Sequence, residues 1–274
     1  MKAWRMNGAG NAFIVIDARD AGAPLRLSET VLQGLLGAHP FDQLIGLERH
    51  DAADALLRVW NADGGEVGAC GNGTRAAAAL LFDAEGGSGL TFASAGGMLA
   101  ARRLTDGSAE VDLGPARLEW HQIPLARAMD TVRLDFGIDL PGGGRLDGPG
   151  AVSMGNPHAV FFVDDVEALP IREIGPKIEH DPLFPERVNA GFAQVIDRET
   201  IRLKVWERGA GLTLACGTGA CAALVAASRR GLTGRTATII ADGGHLPVRW
   251  DADGHVHLSG PVENEGAISL EEFF

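Results

Sequence analysis

Tyrosine is absent from the chain, and lysine nearly so: Lys2, Lys177 and Lys204 are the only three. A pyridoxal enzyme needs a Schiff-base lysine, and none of these stands in a recognisable motif. Cysteine is equally scarce. Cys70, Cys216 and Cys221 cannot build a disulfide framework, which points to a cytoplasmic chain whose cysteines are catalytic or simply buried. No run of eighteen apolar residues occurs, so no membrane-spanning helix is expected. The opening residues MKAWRMNGAGNAF lack the apolar stretch of a signal peptide. Basic charge is short as well: 24 Lys+Arg stand against 36 Asp+Glu, a net charge of −12. Without a positive field, the charge argues against a nucleic-acid binder working by phosphate neutralisation. An anionic small substrate would have to be met by local Arg or backbone N–H groups.

What is present describes a folded protein. Hydrophobic residues make up 46% and charged residues 22%, which rules out disorder as the main state. Short runs rich in Val, Ile and Phe, bounded by Gly, Asp or Pro, read as strands. Phe13–Asp17, Ala55–Asn61, Thr131–Phe136, His158–Val163 and Ile201–Trp206 are examples. Ser28 reads as the N-cap of a helix over Glu29–Ala38, another helix falls near Ile171–Ile178, and Ala-rich helices follow Gly73 and Gly219. The segment Pro141–Gly150 reads as a surface loop or a hairpin tip, not a domain linker. Many strands with a few separate helices predict an α+β fold. The eight histidines are scattered, and no metal site is expected.

The most informative feature is an internal repeat. Trp60 begins WNADGGEVGACGNGTRAA and Trp206 begins WERGAGLTLACGTGACAA. In both, the cysteine lies ten residues after the tryptophan, inside Ala-Cys-Gly-x-Gly, and an Ala-rich stretch follows. Chance in an Ala/Gly-rich chain supplies the Ala-Ala endings but not the gapless match of Trp, Cys and both glycines. A duplicated unit predicts two similar domains facing each other across a cleft. The expected division is 1–117, with 262–274 returning to it, and 118–261.

Each repeated cysteine precedes a helix whose first N–H groups lack intrahelical partners and carry a positive dipole end. A thiol there is expected to have a lowered pKa, and the same N–H groups can hold a carboxylate. The glycines allow a tight turn and close backbone approach. Cys221 has no counterpart in the first half, where Arg75 stands, and reads as a small buried residue. Gly217–Ala222 also fits a GxGxxA dinucleotide pattern, but it lies late in the chain without the alternation of a parallel sheet.

The blocks at 6–17 (MNGAGNAFIVID), 41–43 (FDQ), 61–78, 155–160 (GNPHAV) and 207–223 together resemble the diaminopimelate epimerase family, within a superfamily of cofactor-independent racemases and epimerases. The resemblance implies two pseudo-symmetric α+β domains, each a curved, mostly antiparallel sheet wrapped around a central helix. It implies interconversion of LL- and meso-diaminopimelate with no cofactor and no metal, by a cytoplasmic homodimer with no nucleic-acid or membrane partner. Cys216 would be the base for the LL substrate and Cys70 the acid. His158 and Glu207 would tune the thiols. Gly71, Asn72, Gly217 and Thr218 would cradle the reacting carboxylate. Asn11, Gln43, Asn61, Asn156, Asn189, Glu207 and Arg208 would bind the remaining amino and carboxylate groups. The chain departs from the family pattern at Asn7, Ala9 and Ala12 and at Ala190–Gly191. The alternatives are a racemase for another amino acid, such as hydroxyproline, and a non-catalytic thiol-redox or nucleotide-binding protein.

Overall fold

The duplication of sequence is also a duplication of structure. A computed structural model describes residues 1–68 and 70–274. The chain falls into two units, Met1–Asp112 with Ser259–Phe274, and Leu113–Leu258.

The first unit runs β1 (Lys2–Gly8), β2 (Asn11–Asp17), α1 (Glu29–Ala38), β3 (Gln43–Glu48), β4 (Ala55–Asn61), β5 (Glu66–Val67), α2 (Gly71–Glu85), β6 (Gly89–Ser94), β7 (Gly97–Arg103) and β8 (Ala109–Pro115). A short hairpin follows, β9 (Gly137–Asp139) with β10 (Arg145–Asp147), and residues 141–144 form its tip. The second unit then repeats the order: β11 (Gly150–Ser153), β12 (Pro157–Phe162), α3 (Ile171–Glu179), β13 (Asn189–Asp197), β14 (Thr200–Glu207), β15 (Gly211–Thr213), α4 (Gly217–Arg229), β16 (Thr236–Ala241), β17 (Gly244–Trp250) and β18 (His255–Gly260). The last strand, β19 (Glu263–Ile268), pairs antiparallel with β1 in the first unit.

Pairing sense repeats along with order. β2 and β3 are parallel, as are β12 and β13. β4 and β6 are parallel across the helix connection, as are β14 and β16. The intervening pairs are antiparallel. Register gives a residue-by-residue equivalence. Trp60 faces Leu44 and Trp206 faces Ala190, so Gln43 and Asn189 correspond. Gln43 faces Phe13 and Asn189 faces His158, so Asn11 and Asn156, each two residues earlier, correspond too.

Each unit wraps its sheet around one Ala-rich helix: α2 touches β1, β2, β3 and β7, and α4 touches β11 to β14, β16 and β17. Both helices are buried over most of their length. A helix apolar on all sides is a core helix, and alanine gives it the narrow girth that strands need to close around it. Further apolar clusters pack α1 (Leu32, Leu35) and α3 (Ile171, Ile174, Ile178) onto their own sheets. Ser28 caps α1 as expected, its hydroxyl accepting from the Val31 N–H.

One expected strand is not there. Residues Thr131–Phe136 form bends, not a strand. Asp130 accepts the Val132 N–H at 2.8 Å, the Thr131 hydroxyl donates to the Leu118 carbonyl at 2.6 Å, and Arg230 Nε donates to the Val132 carbonyl at 2.9 Å. Side chains satisfy backbone groups that a ladder would otherwise need.

Trp206 lies flat against α3 at Gly175, where a Cβ would stand 2.5 Å from the indole Cγ. In an open helix, Gly→Ala stabilises by about 1 kcal/mol, whereas overpacking a core costs about 1–3 kcal/mol. Gly175→Ala is therefore expected to lower the unfolding free energy by about 1–2 kcal/mol in urea titration. A stabilised variant would show that Trp206 has room to yield.

Candidate active site

Both repeated cysteines are helix N-caps. Cys70 (φ −139°, ψ 115°) opens α2, and its Sγ accepts the Gly73 N–H at 3.4 Å. Cys216 (φ −123°, ψ 109°) opens α4, and its Sγ accepts the Gly219 N–H at 3.3 Å. The next helical bond in each case runs to the cysteine's own carbonyl, from Thr74 N and from Ala220 N. The glycines of the two motifs do not adopt positive φ. Gly73 and Gly219 serve close approach instead: a Cβ on Gly73 would lie 2.7 Å from Ile45, and one on Gly219 3.0 Å from Val205.

In the first unit four predicted residues form two hydrogen-bonded pairs. Asn72 Nδ2 donates to Asn11 Oδ1 at 2.8 Å, and Asn72 is itself buried. Gln43 Nε2 donates to Asn61 Oδ1 at 2.9 Å across β3 and β4. Asn11 opens β2 after a turn through Ala9 and Gly10, both at positive φ, and Asn7 Oδ1 accepts the Gly10 N–H at 3.0 Å. Cys70 is partly exposed.

In the second unit the corresponding positions form a chain of polar groups ending at sulfur. His158 Nε2 lies 3.1 Å from both Asn156 Oδ1 and Thr218 Oγ1. Asn156 Nδ2 donates to Thr218 Oγ1 at 3.3 Å, and that hydroxyl is 3.6 Å from Cys216 Sγ. Because Asn156 gives its N–H groups to Thr218, its oxygen faces the imidazole, and Nε2 carries the proton. Burial, with the Arg208 charge nearby, holds the His158 pKa down at about 3, so the ring is neutral. Asn189 is buried and braces the backbone: its Nδ2 donates to the Pro157 carbonyl at 2.9 Å, and its Oδ1 accepts the Arg208 N–H at 2.9 Å.

Glu207 and Arg208 end β14 and turn to different partners. The Thr213 hydroxyl donates to Glu207 at 2.5 Å, while Arg208 Nη1 donates to the Glu186 carbonyl at 2.8 Å. Burial raises the Glu207 pKa against the opposing hydrogen bonds from Thr213 and the Cys216 thiol. The expectation of a lowered thiol pKa fails at Cys216. Burial and then the Glu207 carboxylate push it well above the ordinary value, and the Thr218 and Gly219 hydrogen bonds do not offset them. The helix N-terminus is present, but desolvation outweighs it.

Two residues not among the predicted site residues support these groups. Glu179, buried at the end of α3, accepts the Trp206 indole N–H at 2.8 Å and the Gly209 N–H at 2.9 Å, fixing the turn that carries Glu207 and Arg208. Nothing in the repeat marks it. Arg75, fully buried in α2, donates from Nη1 to Asn72 Oδ1 at 2.9 Å. Its signal was a charge inside an Ala-rich apolar helix.

The family model described as diaminopimelate epimerase matches residues 3–119 and 150–264. A diaminopimelate epimerase from Rhodospirillum centenum is 51% identical over 98% of this chain and 91% of its own. One from Phenylobacterium zucineum is 52% identical over 94% and 93%. Among solved structures, a predicted epimerase from Pseudomonas aeruginosa shares the fold at TM-score 0.69 and 21% identity, covering 98% of both chains. A hydroxyproline epimerase from Agrobacterium vitis, with bound trans-4-hydroxy-L-proline, does so at 0.65 and 16%, covering 98% of this chain and 91% of that one. Among the described residues, no helix is long and apolar enough to cross a membrane.

Replacing Glu207 by Gln removes a negative charge beside Cys216. In a Cys70→Ala background, the pH midpoint for alkylation of Cys216 is then expected to move down. A midpoint that stays or rises would remove Glu207 as a determinant of thiol acidity. His158 generates a stability prediction. Its folded pKa of about 3 lies below the ordinary 6.5, so between these values the unfolded chain binds the extra proton. Stability is unaffected by this group above about pH 6.5 and falls by about 1.4 kcal/mol per unit as pH drops towards about 3. His158→Gln is expected to flatten that slope in urea unfolding measured from pH 4 to 6. An unchanged slope would show that the ring titrates normally.

Proposed function

The chain belongs to the diaminopimelate epimerase family, and on that premise we propose that it interconverts LL-2,6-diaminopimelate and meso-diaminopimelate in the synthesis of lysine and peptidoglycan precursors. The observation that carries the reading is the pair of cysteines at equivalent helix N-caps of two duplicated units. Inverting a stereocentre by proton exchange requires a base on one face of the α-carbon and an acid on the other. In this reading Cys216, as thiolate, takes the α-proton of the LL substrate. The electron pair left on the α-carbon is delocalised towards the carboxylate, and the Cys70 thiol delivers its proton to the opposite face. The two sulfurs exchange protonation states, and the reverse reaction runs from that state.

The N–H groups of Gly71, Asn72, Gly217 and Thr218 would hold the reacting carboxylate as charge builds on it, each pair at a helix N-terminus. Arg208 would grip the distal carboxylate through its guanidinium fork, and Glu207, next to it, would meet a substrate ammonium. Arrival of that positive charge beside Glu207 and Cys216 lowers the cost of forming the thiolate that burial otherwise opposes. His158 acts as a neutral hydrogen-bond donor that holds Asn156 and Thr218 against the sulfur, not as a proton carrier. A substrate with a second amino-acid end suits Glu207–Arg208 better than a cyclic imino acid does. The proposal includes a cytoplasmic homodimer, carried by the family resemblance alone; light scattering during gel filtration reads its mass.

The test is incubation with LL-diaminopimelate in deuterated water under reducing conditions. Deuterium is expected at the α-carbon together with meso product. Cys70→Ala and Cys216→Ala should each abolish epimerisation. Each should retain elimination on only one epimer of an analogue bearing a leaving group beside the α-carbon, the epimer whose α-proton faces the surviving thiol. Equal loss on both epimers, or epimerisation by either variant, would contradict one thiol per face.

A further inference from the structure

Arg75 is the largest of the fully buried side chains, and it lies in the helix that Cys70 caps. A guanidinium can only donate hydrogen bonds. Its Nη1 lies 2.9 Å from one atom of the Asn72 amide, so that atom must be the oxygen, Oδ1. The other end of the Asn72 amide is then the donor, Nδ2, and it lies 2.8 Å from one atom of the Asn11 amide. That atom must accept, so it is Asn11 Oδ1. The remaining end of Asn11 is then Nδ2, a donor. An isolated asparagine presents oxygen or nitrogen with little preference, since the two ends have almost the same shape. Two amides in series behind a buried cation have lost that freedom.

Close packing keeps the chain in place. Gly8, paired with Asn11 across the β1–β2 hairpin, packs beside these groups: a Cβ there would stand 3.2 Å from Phe13 and 3.8 Å from Arg75 Nη2. Asn72 is 2% exposed and Arg75 0%, while Asn11 is only partly buried. The relay therefore runs outward from a fully buried cation to a partly exposed amide.

We propose that Arg75 is a positioning residue that fixes the polarity of Asn72 and Asn11, so that the end of Asn11 left for the substrate is its donor Nδ2, which favours a carboxylate oxygen over an ammonium group there. This rests on the diaminopimelate reading for the identity of the ligand. It does not rest on it for the polarity, which follows from the hydrogen-bond chain.

Steady-state kinetics with diaminopimelate would compare wild type, Asn11→Asp, Arg75→Lys and Arg75→Met, with circular dichroism to check folding. Aspartate at position 11 still accepts from Asn72 but turns an acceptor towards the substrate. It is expected to raise KM roughly tenfold or more, with a smaller effect on kcat. An unchanged or lowered KM would place an ammonium at Asn11 and overturn the proposal. Arg75→Met removes the donor and is expected to raise KM. Arg75→Lys, which can still donate to Asn72, is expected to recover much of that loss. Equal damage by Lys and Met would reduce Arg75 to packing. If Arg75→Met fails to fold, Asn11→Asp decides alone. Polarity is read without substrate by hydrogen exchange of side-chain amides in NMR: Asn72 NH2 slow, Asn11 NH2 fast. The reverse order overturns the relay. An inactive wild type with that amide order intact would instead locate the failure in the assigned substrate.

Discussion

The Gly73 N–H to Cys70 Sγ and the Gly219 N–H to Cys216 Sγ, at 3.4 and 3.3 Å, tie each thiol to the first turn of a buried helix. The rest of each unit follows from that tie. The helix must be thin and apolar to sit inside a sheet, hence alanine. The residue three positions after the sulfur must lack a side chain, because Ile45 or Val205 of the neighbouring strand occupies that space. The residue two positions after each sulfur is polar, Asn72 in one copy and Thr218 in the other, at the helix start, where the first N–H groups lack intrahelical partners. The motif Cys-Gly-x-Gly before an alanine run states these demands in sequence.

The two units keep one skeleton and differ in what they hang on it. Asn11 and Asn156 correspond in register, as do Gln43 and Asn189, and Asn72 and Thr218 follow their cysteines by the same two positions. In the first unit a buried cation stands behind the amides and the chain of donors ends on Asn11. In the second a neutral imidazole stands behind them, and the chain ends on the sulfur through Thr218. Duplication supplied the geometry, and divergence at a few polar positions gave each copy its own electrostatic character.

Much of this was legible in the sequence because repeats and periodicity are local signals. The Trp–Cys spacing exposed the duplication, and Ser28 announced α1. Thr131–Phe136 misled because its β-branched residues match a strand pattern while Asp130 and Arg230, one adjacent and one distant, take its backbone groups. Glu179 escaped because its partners, Trp206 and Gly209, lie about thirty residues on and only folding brings them to it. The acidity of Cys216 was read with the wrong sign for a related reason. The helix N-terminus is visible in sequence, whereas the depth of burial and the nearby Glu207 carboxylate are not.

That sign has a consequence for the life of the protein between turnovers. Peroxides attack thiolates far faster than thiols. A sulfur that is buried and pushed towards its protonated form is therefore a poor target for oxidants while no ligand is present. Cys70, partly exposed at its own cap, lacks that shelter of depth. Oxidative damage to a resting pool of this chain would begin on the first unit, and Cys216 would outlast it.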